Sequence, residues 1–220
     1  MRAAARAGLD AAVTELITIG RTPCLYVERF DRSIGGDGAI ARIHQEDMCQ
    51  ALGLLPVAKY EENGGPSVAA VVRLLRTLGS PRAAIDINAF VKAVLVSFLL
   101  GNSDAHGKNF ALLHEQDAAM RLAPLYDVVS TAVYPEVTSR LAMRIGGVDD
   151  PADVGPAAWE QLATECGLGG QLGRFVREWT GEIATQVVGL RDRAQDEGWH
   201  RPVIDRIVEV CRQRAEQLLT

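Results

Sequence analysis

Asp104, Asn109 and Asp127 are the residues in this sequence whose types and spacing suit a reaction. The first two stand in a D-x-x-x-x-N spacing used by phosphoryl-transfer loops. Residues 110–114 and 120–126 read as two strands joined by the polar turn Glu115 to Ala119, a hairpin. Antiparallel pairing returns Asn109, which opens the first strand, and Asp127, which closes the second, to the same end. A carboxylate and an amide oxygen then face one point. Phosphoryl transfer needs hard oxygen ligands for a Mg²⁺ that bridges the ATP phosphates, and a separate carboxylate to orient the attacking hydroxyl and take its proton. On this reading Asp127 is the main metal ligand, Asn109 the second, and Asp104 the base. Lys108 steadies the γ-phosphate as charge moves. His106 either positions Asp104 or hydrogen-bonds the backbone to fix the turn. Asp and Asn in loops after helices also serve as caps and turn formers, so the spacing alone leaves a phosphotransferase and a structural loop both open.

The loop at Gly101 to Asn109 follows the most apolar stretch of the chain. Asp86 is the expected N-cap of a long helix carrying Phe90, Val91, Val94, Leu95, Phe98 and Leu99, which repeat at i, i+4 and i+8 as a core element does. Upstream, residues 3–19 predict a helix, alanine-rich with Leu9, Val13, Leu16 and Ile17 on one face and Gly20 at its end. A strand is expected over Cys24 to Phe30. Ala39 to Ile43 pairs back as a second, with the glycines of Ser33 to Gly38 as the hairpin tip. Then come a short helix from Gln45 to about Leu52, a loop containing Asn63, Gly64, Gly65 and Pro66, and a helix over Ser67 to Leu78. Beyond Pro151 three helices are expected, at roughly 156–166, 170–195 and 202–218.

A chain of 220 residues, 48% apolar, can bury a substantial core. The net charge of −5 supplies no global basic footprint for nucleic acid. Cys24, Cys49, Cys166 and Cys211 form no C-x-x-C pair, and with the four scattered histidines they offer no metal-ligand spacing. They read as reduced core thiols of a cytoplasmic protein. His44, His114 and His200 have no evident partner and are expected to face solvent. The longest apolar run, Ala93 to Leu100, is interrupted by Ser97 and too short to span a bilayer, so no membrane association is expected.

Around these residues the sequence resembles the HipA family of bacterial toxin serine/threonine kinases, whose members carry G-x-x-D-x-H-x-K-N-F followed by L-x-P-x-Y-D. This chain has GNSDAHGKNF at 101–110 and LAPLYDVVS at 122–130. YVERFDR at 26–32, HQEDMCQALGL at 44–54 and KYEENGGP at 59–66 also resemble family signatures, in the family's order. The resemblance implies an α+β, protein-kinase-like fold related to the phosphoinositide-kinase branch, mainly an α-helical C-lobe with a hinge and a partial N-lobe. Residues 1–45 would be the partial lobe and hinge, and 46–220 the helical lobe with catalytic loop and metal-binding hairpin. It further implies transfer from Mg²⁺-ATP to a protein hydroxyl, with Asp104 as base and Asn109 and Asp127 on magnesium. Glu28 and Phe30 fall in a hinge whose backbone meets adenine, and Asp31 lies where ribose is expected. Partners implied are a protein substrate, as in translation, and a small DNA-binding antitoxin through which DNA is met only indirectly.

Family members precede the first helix with a β-rich lobe bearing a phosphate-binding lysine and a flexible loop over the nucleotide. This chain is expected to be truncated relative to that pattern, because its lysines, Lys59, Lys92 and Lys108, all come later. An alternative reading is therefore a catalytically inactive kinase-fold module that binds an antitoxin-like partner. A small-molecule phosphotransferase shares the D-x-x-x-x-N logic, but the HQEDMCQ and GGP stretches argue against it.

Overall fold

The computed structural model describes residues 1–114, 119–196, 199 and 201–220. The chain opens with a short helix, α1 (Arg2–Arg6), and a ribbon of two antiparallel strands, β1 (Thr14–Ile19) and β2 (Thr22–Val27). The expected helix over 3–19 thus ends early, with Gly8 at φ 78 just beyond it. Thr14, Ile17, Thr18 and Ile19 are β-branched and lose χ1 freedom in a helix. Gly20, at φ 65, opens the two-residue turn between the strands, the position such turns reserve for glycine.

Two further strands, β3 (Arg32–Ile34) and β4 (Ile40–Arg42), pair with each other. The glycines are a hairpin tip as expected, but residues 39–43 return onto 32–34 and not onto 24–30. The expected helix from Gln45 is in its first half a strand, β5 (His44–Asp47), and becomes α2 only at Met48–Ala51. Asp47 sets that boundary with a capping box: its carboxylate accepts from Gln50 N at 2.9 Å, and Gln50 Oε1 accepts from Asp47 N at 3.0 Å.

α3 (Val68–Thr77) is capped by Ser67, whose Oγ accepts from Ala70 N at 3.1 Å. α4 (Ala83–Leu99) follows, then β6 (Ala111–His114) and the short β7 (Arg121–Leu122). β6 lies between β5 and β7 in one antiparallel sheet. The expected 120–126 strand is thus only two residues long, because Leu125 leaves the hairpin to bond Asp10 and Ala12. Most of the expected turn, residues 115–118, lies outside the described residues. α5 (Pro156–Cys166), α6 (Leu172–Asp196) and α7 (Arg201–Leu219) complete the chain.

α4 is the axis of the core. Phe90, Val91, Leu95, Val96, Phe98 and Leu99 are all buried, and burial of each large apolar side chain contributes roughly 1.5–3 kcal/mol. α3, β7, α6 and α7 pack around it. Asp86 is not the cap: it is buried in the first turn, where it accepts from Leu122 N at 3.2 Å and ties α4 to β7. Burial raises its pKa. From α7 the buried Arg214 donates to the Phe98 carbonyl and lies over the Phe98 ring; burial pulls its pKa down to about 10. The outcome is an α+β fold with a helical lobe, a small sheet beside it and an outlying ribbon. No helix among the described residues is long and apolar enough to cross a membrane.

Candidate active site

The Gly101–Asn109 loop starts where α4 stops and is fastened from both sides. Gly101 sits at φ 74, and a Cβ there would come within 2.7 Å of Ala132 Cβ. Thr131 Oγ1 donates to the Gly101 carbonyl at 3.0 Å and accepts from Ser103 N at 2.8 Å, while Ser103 Oγ donates to the Ser139 carbonyl at 2.9 Å. On the other side Gly107 N donates to the Lys59 carbonyl, and a Cβ on Gly107 would lie 2.6 Å from Pro66 Cγ. Gly65 is equally confined, since its Cβ would meet the Ala58 and Tyr60 carbonyls at 2.6 Å. The KYEENGGP stretch is therefore a cradle for the loop.

Within the loop Asp104 is 42% exposed. Its Oδ1 accepts from Tyr60 OH at 2.7 Å, and Asn102 Oδ1 accepts from Asp104 N at 3.2 Å. His106 is buried, with Nε2 2.9 Å from Lys59 Nζ and 3.9 Å from Asp104 Oδ2. Burial, ahead of any charge, lowers the His106 pKa, so the ring is neutral and Nε2 accepts from the Lys59 ammonium. The Tyr60 hydroxyl raises the Lys59 pKa first, and the charges of Asp104 and Asp127 add to it. The ring stands beside Asp104 but makes no hydrogen bond to the backbone among the described residues: Nε2 meets Lys59, Nδ1 has no partner there, and the 2.8 Å bond back to the Asp104 carbonyl comes from the His106 amide.

Asn109 Nδ2 donates to that same carbonyl at 2.9 Å. A carbonyl acceptor demands the NH₂ end of the amide, so Asn109 Oδ1 is directed elsewhere as the free acceptor. The β6–β7 register, extended by the 2.8 Å bond from Ala123 N to the Ala111 carbonyl, brings the chain back to the loop. Tyr126 OH then closes onto the Lys108 carbonyl at 2.7 Å. Asp127 follows, exposed, and is the one non-glycine residue at positive φ (55°) among the described residues. Left-handed backbone off glycine costs of order 1 kcal/mol and collects at functional sites. The Tyr126 bond thus ties the residue just before Asp127 to the loop that carries Asp104 and Asn109. Lys108 itself is half-buried in this loop.

The residues expected at a hinge lie where β2 ends. Glu28 is exposed and its amide donates to the Val13 carbonyl at 2.9 Å. Phe30 packs its ring 5.6 Å from that of Tyr126 and rests on Ala111, Leu113 and Ala123. Asp31 is buried; its Oδ1 accepts from Arg29 Nε at 2.8 Å and its Oδ2 from Arg32 at 2.7 Å. The Arg29 hydrogen bond leads in holding the Asp31 carboxyl below its ordinary range.

The sequence reading gives Lys59 and Tyr60 no role in the site; the lysine it expects there is Lys108. Their signal was the KYEENGGP stretch, legible as a motif but not as a contact with a loop more than forty residues away. His44 and His114 do not simply face solvent: their rings are 4.7 Å apart, and His114 Nε2 is 2.7 Å from Glu46 Oε2. His200 lies outside the described residues.

The profile of the HipA-like C-terminal domain family matches residues 1–190. The Sinorhizobium fredii protein Y4mE is 44% identical over 169 residues, 77% of this chain and 40% of that protein. The serine/threonine-protein kinase toxin HipA of Shewanella oneidensis is 32% identical over 216 residues, 90% of this chain and 49% of that protein. In three dimensions the chain superposes over its full length on 54% of a chain from the Shewanella oneidensis complex of HipA, HipB and operator DNA, with a TM-score of 0.86 at 28% identity. The Helicobacter pylori proinflammatory kinase CtkA shares the fold, at a TM-score of 0.58 and 10% identity over 99% of this chain and 81% of that one. The chain spans about half the length, or less, of the curated relatives it matches.

Proposed function

Because this chain belongs to the HipA-like C-terminal domain family, we propose that it forms the hinge and main lobe of a serine/threonine protein kinase that moves the γ-phosphoryl group of Mg²⁺-ATP to a protein hydroxyl. The observation that carries the reading is the geometry of the loop itself: Tyr60 OH meets Asp104 Oδ1, Asn109 Nδ2 turns to the Asp104 carbonyl so that its oxygen is free, and Tyr126, next to Asp127, closes onto the Lys108 carbonyl. The donor set fits magnesium, since a carboxylate and an amide oxygen are hard ligands and no thiolate or imidazole competes in it. Bound there through Asp127 and Asn109, the ion would neutralise charge on the transferring phosphoryl group.

Asp104 is half-exposed and oriented by Tyr60, so it can accept a hydrogen bond from an incoming hydroxyl and take its proton as the oxygen attacks. Lys59 and Lys108 are the cations placed to answer phosphate charge, and His106 holds Lys59 in position. At the hinge, adenine offers a donor beside an acceptor; the Glu28 carbonyl and the Phe30 amide have no protein partner among the described hydrogen bonds and suit that pattern. Asp31 holds the hinge through Arg29 and Arg32 and would reach a ribose only by releasing one of them.

Residues 1–45 act in this proposal as part of a small lobe and 46–220 as the main lobe. The β1–β2 ribbon leaves Leu16, Leu25 and Val27 exposed on one face, an apolar surface suited to being covered by further structure. By analogy with the HipA, HipB and operator DNA complex, the partner is a small DNA-binding antitoxin and DNA is met through it; the family resemblance, not that complex, suggests a cytoplasmic protein, as in translation, as the substrate. A second reading, an inactive module that binds such a partner, is favoured by one observation: β1 to β5 carry no lysine for the nucleotide phosphates. Transfer of labelled phosphate from ATP separates the two. The kinase reading expects Asp104→Ala and Asp127→Ala each to abolish transfer; full activity in both variants would remove the site assignment.

A further inference from the structure

We propose that His44, Glu46 and His114 form a second metal site, for a late first-row divalent cation such as Zn²⁺, at the far end of the β5–β6–β7 sheet. β5 and β6 pair with His44 directly opposite His114, which places both rings on one face of the sheet. Glu46, two residues along β5, shares that face by strand alternation. His114 Nε2 and Glu46 Oε2 are 2.7 Å apart and the two imidazoles stand 4.7 Å centre to centre. One ligand atom from each of the three residues lies within 4.8 Å of the others. A tetrahedral ion with bonds of about 2.1 Å separates its ligands by roughly 3.4 Å. The exposed His44 side chain can close that difference by rotating, and the open side leaves a fourth position to water.

Two imidazoles and one carboxylate favour zinc and its neighbours over magnesium. This donor set is unlike that at Asn109 and Asp127, and His114 lies five residues along the strand from Asn109, roughly 16 Å of extended chain. The site therefore stands independently of the kinase reading. An ion here would bind the start of β5 to the end of β6. Ile43, just before β5, donates to the Asp31 carbonyl at 3.0 Å, so the ion would brace the hinge segment against the sheet that leads back to Asp127.

The test is calorimetric titration of the tag-free 220-residue chain with Zn²⁺ in buffer already saturated with Mg²⁺. One ion per chain is expected. His44→Ala and His114→Ala should each weaken it roughly tenfold or more, at least what loss of a supporting contact to a metal ligand costs. The double variant should not bind. Because these side chains are exposed or half-buried, the variants are expected to keep the melting temperature of the metal-free parent. In the unaltered chain, Zn²⁺ should shift the imidazole resonances of His44 and His114 and leave His106 in place. Absence of binding, binding unchanged in the double variant, or a response confined to other histidines would each overturn the proposal.

Discussion

Tyr60 donates its hydroxyl to Asp104 Oδ1 at 2.7 Å, joining the loop after α2 to the D-x-x-x-x-N segment. A hydrogen bond to a carboxylate stabilises its ionised form and fixes which oxygen remains free. Tyr60→Phe keeps the ring, which stacks edge-on against His106, and removes the hydroxyl that meets Asp104 and Lys59. Any phosphotransfer is expected to fall roughly tenfold in kcat, the equivalent of about 1.4 kcal/mol. Steady-state rates check this, and an unchanged kcat would reduce Tyr60 to packing.

Gly107 has Pro66 against the space where a side chain would begin. With Pro66 Cγ 2.6 Å and Cys49 Sγ 3.2 Å from that position, Gly107→Ala forces the cradle and the loop apart. A destabilisation of about 1–3 kcal/mol is expected, read from the urea midpoint. Gly36→Ala, at a position with open space around it, is the control and should change the midpoint far less.

His106 gives stability a pH dependence with a defined sign. Burial lowers its folded-state pKa below the ordinary 6.5, so the unfolded chain takes up a proton more readily than the folded one. Stability is complete above about pH 6.5 and is lost as pH falls from there through the folded pKa. Melting temperatures from pH 8 down to about pH 5 should decline, and more gently in His106→Gln.

Asp127 occupies left-handed backbone that asparagine tolerates nearly as well. Asp127→Asn is therefore expected to melt within about 1 °C of the parent while losing the charge the site depends on. A large drop in its melting temperature would mean that the carboxylate is a structural group.

The elements nearest the proposed chemistry were the most legible in the sequence. α3, α4, α5 and the return of the hairpin after Asn109 follow from apolar spacing and punctuation, although Ser67, read as the first helical residue, is the cap of α3. The first twenty residues misled because an alanine-rich start gives way to β-branched residues at Thr14, and apolar spacing over Leu9 to Ile17 suits either state. Asp86 resembled a cap because a polar residue before an apolar run usually is one, whereas here tertiary structure buries it against β7. Lys59, Tyr60 and the His44–His114 pair depend on register and loop packing between distant segments, which local spacing does not encode.

The most direct test of the central claim is the melting temperature of the 220-residue chain with and without Mg²⁺-ATP, beside Asp127→Asn. A ligand held only by the folded state at a hundredfold excess over its Kd adds about 2.7 kcal/mol, which for a chain of this size is a rise of roughly 5 °C or more. The account predicts that rise with Mg²⁺ and ATP together, its loss with either omitted, and its absence in Asp127→Asn. A cooperative melt that does not move at millimolar Mg²⁺-ATP, or a rise that survives in Asp127→Asn, would contradict it.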